Sequence, residues 1–213
     1  RPSMTLLIAT RNPAKLRRYR AILGQFPGLE VLSPQDLGLD LSVAETGATA
    51  AENAHLKASA YAAASGLPAL GIDEALYIPA LSPEDQPGVY VRRAHLADGG
   101  SLGDEELLGF FLETARRLPS DQREVQWLYA VCLALPYDQA HWSDQSYWSA
   151  WLSEKPFLPY EPGYPLSAIL CDRITGKPVR AMTVEEQNQR EAPLTAAVVR
   201  LVCQAFPEMS MAG

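Results

Sequence analysis

Cysteine and histidine are scarce in this chain, with three of each among 213 residues. Cys132, Cys171 and Cys203 are odd in number and far apart, which argues against a disulfide framework and against a zinc knuckle. His55, His95 and His141 are equally scattered and have no metal-ligand spacing. Cationic side chains are also in deficit. Lys and Arg number 18 against 25 Asp and Glu, for a net charge of −7. General nucleic-acid binding needs a basic face, so no nucleic-acid partner is expected. A small anion held by a local cluster of cations remains compatible. No stretch approaches the roughly 20 apolar residues of a membrane span, and the N-terminus lacks the charged, apolar and small-residue succession of a signal peptide. No membrane partner is expected, and a reducing cytoplasm suits the cysteine usage. Arg1-Pro2-Ser3 ahead of Met4 has the look of an expression-vector remnant, with Met4 as the expected natural start.

What is present is ordinary for a globular protein: 47% hydrophobic and 20% charged residues. The length suffices for one large domain or two small lobes. Leu6 to Ala9 is a short apolar run that reads as a strand buried on both faces. Thr10-Arg11-Asn12-Pro13 follows, with Asn12 suited to an N-cap and Pro13 to the first helical position. Leu16, Tyr19, Ile22 and Leu23 then mark a helix ending at Gly24. A strand, a polar turn and a helix N-terminus together favour a phosphate, because free amides and the positive end of the dipole point there. Lys15, in the first turn, opposes that dipole unless an anion sits nearby.

Glu45 to Asp73 is the most organised stretch. Thr49-x-x-Glu52 has the form of a capping box, and Ala54, Ala58, Tyr61 and Ala62 recur at helical spacing until Gly66 and Pro68. Asn53 and Lys57, four apart, share one helix face. Leu67 to Ile72 reads as a buried strand, with Asp73 just past its end, the edge at which open α/β sheets collect ligands. Further on, Gly103-Asp104 opens a core-facing helix that ends in Arg116-Arg117-Leu118-Pro119, and Val125 to Leu135 reads as a central strand. Tyr147 to Leu152 and Ser167 to Cys171 read as strands. Thr183-x-x-Glu186 opens a last helix that Pro193 should break or restart.

IATRNPAKLRRYRAIL near the N-terminus, followed by ETG, AENAHLKA and a strand ending at Asp73, resembles the inosine-triphosphate pyrophosphatase family. PGVYVRR at 87–93, the spacing of Trp148 to Pro156, and TVEEQN at 183–188 extend the resemblance over most of the chain. The resemblance implies an α/β fold: an elongated mixed β-sheet flanked by helices, with two lobes around a nucleotide cleft. The whole of 1–213 would be one such domain, with the second lobe at about 120–180. It also implies a homodimer that hydrolyses a nucleoside triphosphate, or a related phosphoanhydride, to monophosphate and pyrophosphate with Mg²⁺. Thr10, Arg11, Asn12 and Lys15 match the phosphate-binding turn. Glu45 matches the metal-binding carboxylate, Lys57 the lysine near the phosphates, and Asp73 the general base. Asp73, with Glu74 beside it, would join Glu45 at the metal.

The chain departs from the family at defined places. Two consecutive Asp followed by Ser-Gly become Ile72, Asp73, Glu74 and Ala75. The Phe-Gly-Tyr-Asp-Pro loop is matched only by Pro162, Gly163, Tyr164, Pro165 and Leu166, leaving Gly163 and Tyr164 as the base-side remnant. The Ser-His-Arg near the family's C-terminus falls at Glu191, Ala192 and Pro193. A retained phosphate end and a remodelled base end predict altered base selectivity, since a buried base edge without partners is disfavoured. The alternative is a catalytically silent homologue that binds a nucleotide or a protein partner.

Overall fold

Met4–Ala9 (β1) is fully buried from Leu6 onward, and it pairs in parallel with Leu29–Leu32 (β2) on one side. On its other side it pairs in parallel with Ala69–Tyr77 (β3), in the register Leu7–Ala69, Ile8–Leu70 and Ala9–Gly71. These contacts belong to a computed structural model of the chain, which describes residues 4–89, 91 and 102–209. Of the PGVYVRR segment, Tyr90, Arg92 and Arg93 lie outside the described residues.

Glu124–Ala134 (β4), His141–Leu152 (β5) and Leu170–Asp172 (β6) complete one mixed sheet of order β2-β1-β3-β4-β5-β6 among the described residues. The last pair is antiparallel, with Trp151 opposite Cys171. Helices flank the sheet: Pro13–Leu23 (α1), Ala50–Ser65 (α2), Asp104–Arg117 (α3) and Val184–Ala205 (α4). The α/β class expected from the sequence is therefore the observed one. Among the described residues, no helix is long and apolar enough to cross a membrane.

The helix ends follow their local chemistry. Asn12 Oδ1 accepts from the Ala14 and Lys15 amides at 2.9 and 3.1 Å, and Pro13 follows it at the first helical position. Thr49 Oγ1 accepts from the Glu52 amide at 3.1 Å, while Glu52 reaches back to the Ala48 and Thr49 amides. This closes the capping box. Gly66 ends α2 with φ +70, a left-handed conformation that glycine adopts without strain.

Four elements differ from their sequence reading. β3 does not stop at Ile72 but runs on through Asp73 and Glu74 to Tyr77. β5 starts at His141, ahead of Tyr147. Pro165–Ala168 is a 3₁₀ turn, so the strand there is only Leu170–Asp172. α4 continues through Pro193, where a proline removes one helical hydrogen bond; Leu194, Ala197, Val198, Leu201 and Val202 are buried beyond it.

By contacts the chain divides into two compact units. One comprises Arg1–Glu74, Tyr129–Ser146 and Pro193–Gly213; the other comprises Ala75–Leu128 and Tyr147–Ala192.

Candidate active site

The first unit gathers most of the residues singled out from the sequence, and its geometry starts at Gly71. A Cβ placed on Gly71 would lie 2.0 Å from the Ala54 carbonyl oxygen and 2.6 Å from the Ala58 amide nitrogen. Only glycine allows α2 to sit this close to β3. Side chains alternate along a strand, so Asp73 shares the α2 side with Gly71 while Glu74 takes the opposite side. Lys57, one turn beyond Asn53 on α2, reaches that level of the strand.

Lys57 Nζ donates to the Ile72 carbonyl at 2.9 Å and sits 3.5 Å from Asp73 Oδ1. It also forms an ion pair with Glu45. One ammonium is therefore shared by two carboxylates, one from the loop before α2 and one from β3. Asp73 is 6% exposed, and its second oxygen, Oδ2, is buried without a hydrogen-bond partner. Leaving a buried acceptor unpaired costs about 1–3 kcal/mol, so the group calls for a role. Burial pushes the Asp73 pKa above the ordinary 3.8; Lys57 and Lys15 pull it down, Glu45 pushes it up, and Asn53 pulls it down. Burial dominates, so the carboxyl holds its proton more tightly than a surface aspartate.

Lys15 enters the same field from α1. Burial lowers its pKa below 10.5; Glu74, Asp73 and Glu45 oppose that shift, and Lys57 adds to it. Glu74 itself pairs with Arg18 at 3.2 Å, both side chains largely buried, and Arg18 lies over the Tyr129 ring at 5.4 Å. Thr10 Oγ1 accepts from the Asn12 amide at 3.2 Å, ordering the turn at the end of β1. Arg11 points to Asp40, with which it forms an exposed ion pair.

Lys57, Asp73, Glu45, Lys15 and Glu74 thus form one electrostatic cluster, with Thr10 and Asn12 shaping the turn that leads into α1. Gly163 and Tyr164 belong to the second unit. There Gly163 has φ +81, and its amide donates to Asp104 at 2.9 Å. Tyr164 is buried, its ring 6.1 Å from that of Trp127. In the same unit Arg190 pairs with Glu191 at 2.9 Å and lies over the Trp148 ring at 4.5 Å.

A profile of the Ham1 family matches residues 6–193. The chain belongs to the Ham1 family. The resemblance to inosine-triphosphate pyrophosphatases drawn from its motifs agrees with this. A dITP/XTP pyrophosphatase of Shigella flexneri is 38% identical over 122 residues, covering 57% of this chain and 58% of the relative. One from Xanthomonas axonopodis pv. citri is 31% identical over 186 residues, covering 86% of this chain and 88% of the relative. The chain thus spans 58% of the length of the first curated relatives it matches. Among solved structures, the Staphylococcus aureus Ham1 protein superposes with a TM-score of 0.69 at 25% identity, covering 96% of this chain and 98% of that one. A HAM1 protein from Coxiella burnetii superposes with a TM-score of 0.73 at 22% identity, covering 96% of this chain and 99% of that one, which shows a shared fold.

Two site features of this Ham1-family chain escape sequence reasoning. Arg18 lies one helical turn after Lys15, a spacing that could have flagged it as the partner of Glu74. Asn53 lies one turn before Lys57 and is completely buried, with its Oδ1 accepting from the Gly47 amide at 2.8 Å. Its helix-face position was visible in the sequence; its burial was not.

Among the described residues, no group of three or more His, Cys, Asp or Glu side chains is arranged to hold a metal. Mg²⁺ needs fewer, since it takes one or two carboxylates and completes its shell with waters and phosphate oxygens. Glu45 and Asp73 are hard oxygen donors already gathered on one cation, and Asp73 Oδ2 is unpartnered. The donor set fits such an ion.

Proposed function

We propose that this chain is a nucleoside-triphosphate pyrophosphatase, releasing a monophosphate and pyrophosphate. The observation that carries the reading is the buried Asp73 carboxylate, which shares the Lys57 ammonium with Glu45 and keeps Oδ2 unpartnered. In this reading Asp73 accepts a proton from the attacking water. The water oxygen bonds to phosphorus, and the anhydride oxygen departs with pyrophosphate. Lys57 and Lys15 neutralise charge on the phosphate oxygens, and the positive end of the α1 dipole at the Thr10 to Asn12 turn favours the polyphosphate. Mg²⁺ would be held by Glu45 and Asp73, where it would spread the negative charge of the phosphates and orient water. Glu74 stays with Arg18 and sets the field around Lys15. Arg11 reaches phosphate only by leaving Asp40.

Selectivity for the base is proposed to differ from that of inosine-directed relatives, because Pro162, Pro165 and Glu191 to Pro193 replace the matched recognition groups. The family resemblance also supports a homodimer, and the cysteine usage a reducing cytoplasm.

The test is a nucleotide panel including dITP and XTP, assayed with Mg²⁺ and with the products identified by ³¹P NMR. Monophosphate and pyrophosphate from at least one member are expected. A folded protein that turns over none of them, yet is stabilised by one in a thermal melt, would instead be a nucleotide-binding protein.

A further inference from the structure

We infer that Asn53 is a positioning residue that ties the loop carrying Glu45 to the Asp73 carboxylate and holds both in register for hydrolysis. The inference rests on the reading of Asp73 as the proton acceptor. Asn53 is fully buried, and its two polar atoms are used differently. Oδ1 accepts from the Gly47 amide at 2.8 Å, two residues beyond Glu45. That bond orients the amide and leaves Nδ2 as a buried donor with no partner. Asp73 Oδ2 is a buried acceptor with no partner. The Asn53 side chain is near enough to draw the Asp73 pKa down, although the two groups do not complete a hydrogen bond of good geometry.

A buried donor and a buried acceptor, each without a partner and on residues close enough for one to shift the other, are an interaction left open. Lys57 supplies the reason. Its ammonium pulls on Asp73 Oδ1 from one helical turn further along the same face of α2. A polyphosphate that draws Lys57 toward itself releases that pull. Asp73 can then close on Asn53 Nδ2, which frees Oδ1 from the ammonium. The loop is pressed against the same side chain, since a Cβ on Gly47 would lie 2.7 Å from Asn53 Oδ1. Displacing Asn53 would therefore disturb Glu45 and Asp73 together.

Two measurements test this. The first is a double-mutant cycle on unfolding by urea, using Asn53→Ala, Asp73→Ala and the pair, and it does not depend on activity. Asn53→Ser replaces the alanine variant if that one does not fold. With saturating inorganic triphosphate present to draw Lys57 away, the loss from Asn53→Ala should be smaller once Asp73 is gone. Additive losses would overturn the link whatever the activity. The second is steady-state kinetics of Asn53→Ala on the best nucleotide, expected to lower kcat about 10–100-fold with KM moved less than about threefold. Asn53→Asp keeps the acceptor for Gly47 but loses the donor, so it should not rescue kcat. Full kcat in either variant would overturn the positioning role. A coupled cycle in a protein that turns over no nucleotide would support the link while removing the pyrophosphatase reading.

Discussion

The two ionisable groups that matter most at the site are shifted in opposite directions by the same burial. Asp73 is held above 3.8 and Lys15 below 10.5, each against partly compensating neighbours. If Asp73 must be ionised to take a proton, kcat/KM rises as pH climbs through its raised pKa. The acid limb should therefore fall above the ordinary aspartate range. If Lys15 must be charged to hold phosphate, kcat/KM falls as pH climbs through its lowered pKa, earlier than for a solvated lysine. Lys15→Arg, which does not titrate in that range, should push the alkaline limb upward. An acid limb in the ordinary carboxylate range, or an alkaline limb untouched by Lys15→Arg, would remove these groups from the mechanism.

At the scale of elements, the site exists because α2 lies directly on β3. Gly71 permits the approach, and the capping box fixes where α2 begins. Gly71→Ala should force the helix away from the strand, cost about 1–3 kcal/mol or more in stability, and lower kcat by separating Lys57 from Asp73. Denaturant melts and kinetics check both parts, and a variant with wild-type stability would show that the contact relaxes freely. Much of this was legible in advance. Asn12 with Pro13, Thr49 with Glu52, and the Leu6 to Ala9 run signal their structures through local chemistry. The continuation of β3 was not legible. A charged pair looks like the end of a buried strand until Lys57 and Arg18 are seen to neutralise it from opposite sides. The start of β5 was hidden for a different reason: His141, Ser143 and Gln145 face solvent, so no apolar run announces the strand. Pro193 looked like a break because the buried stripe that continues α4 beyond it is a tertiary effect. The residues that gather around Lys57 and Asp73 were readable from motif spacing. The unpaired atoms of Asn53 and Asp73 were not, since burial of single atoms leaves no trace in a sequence.

For the whole molecule, the net charge of −7 opposes a polyanionic ligand at long range, so the proposed nucleotide binding would rest on the local cluster of Lys15, Lys57 and the positive end of the α1 dipole. A nucleotide at about 100 times its Kd should raise stability by about 2.7 kcal/mol. The central claim is that Asp73 carries the chemistry while the cations around it carry binding. Pyrophosphate release by Asp73→Asn, compared with the parent on the best nucleotide of the panel with Mg²⁺, tests it most directly. The prediction is a loss of at least about 100-fold in kcat, with the nucleotide still stabilising the folded variant. Release by Asp73→Asn within a few-fold of the parent would contradict it.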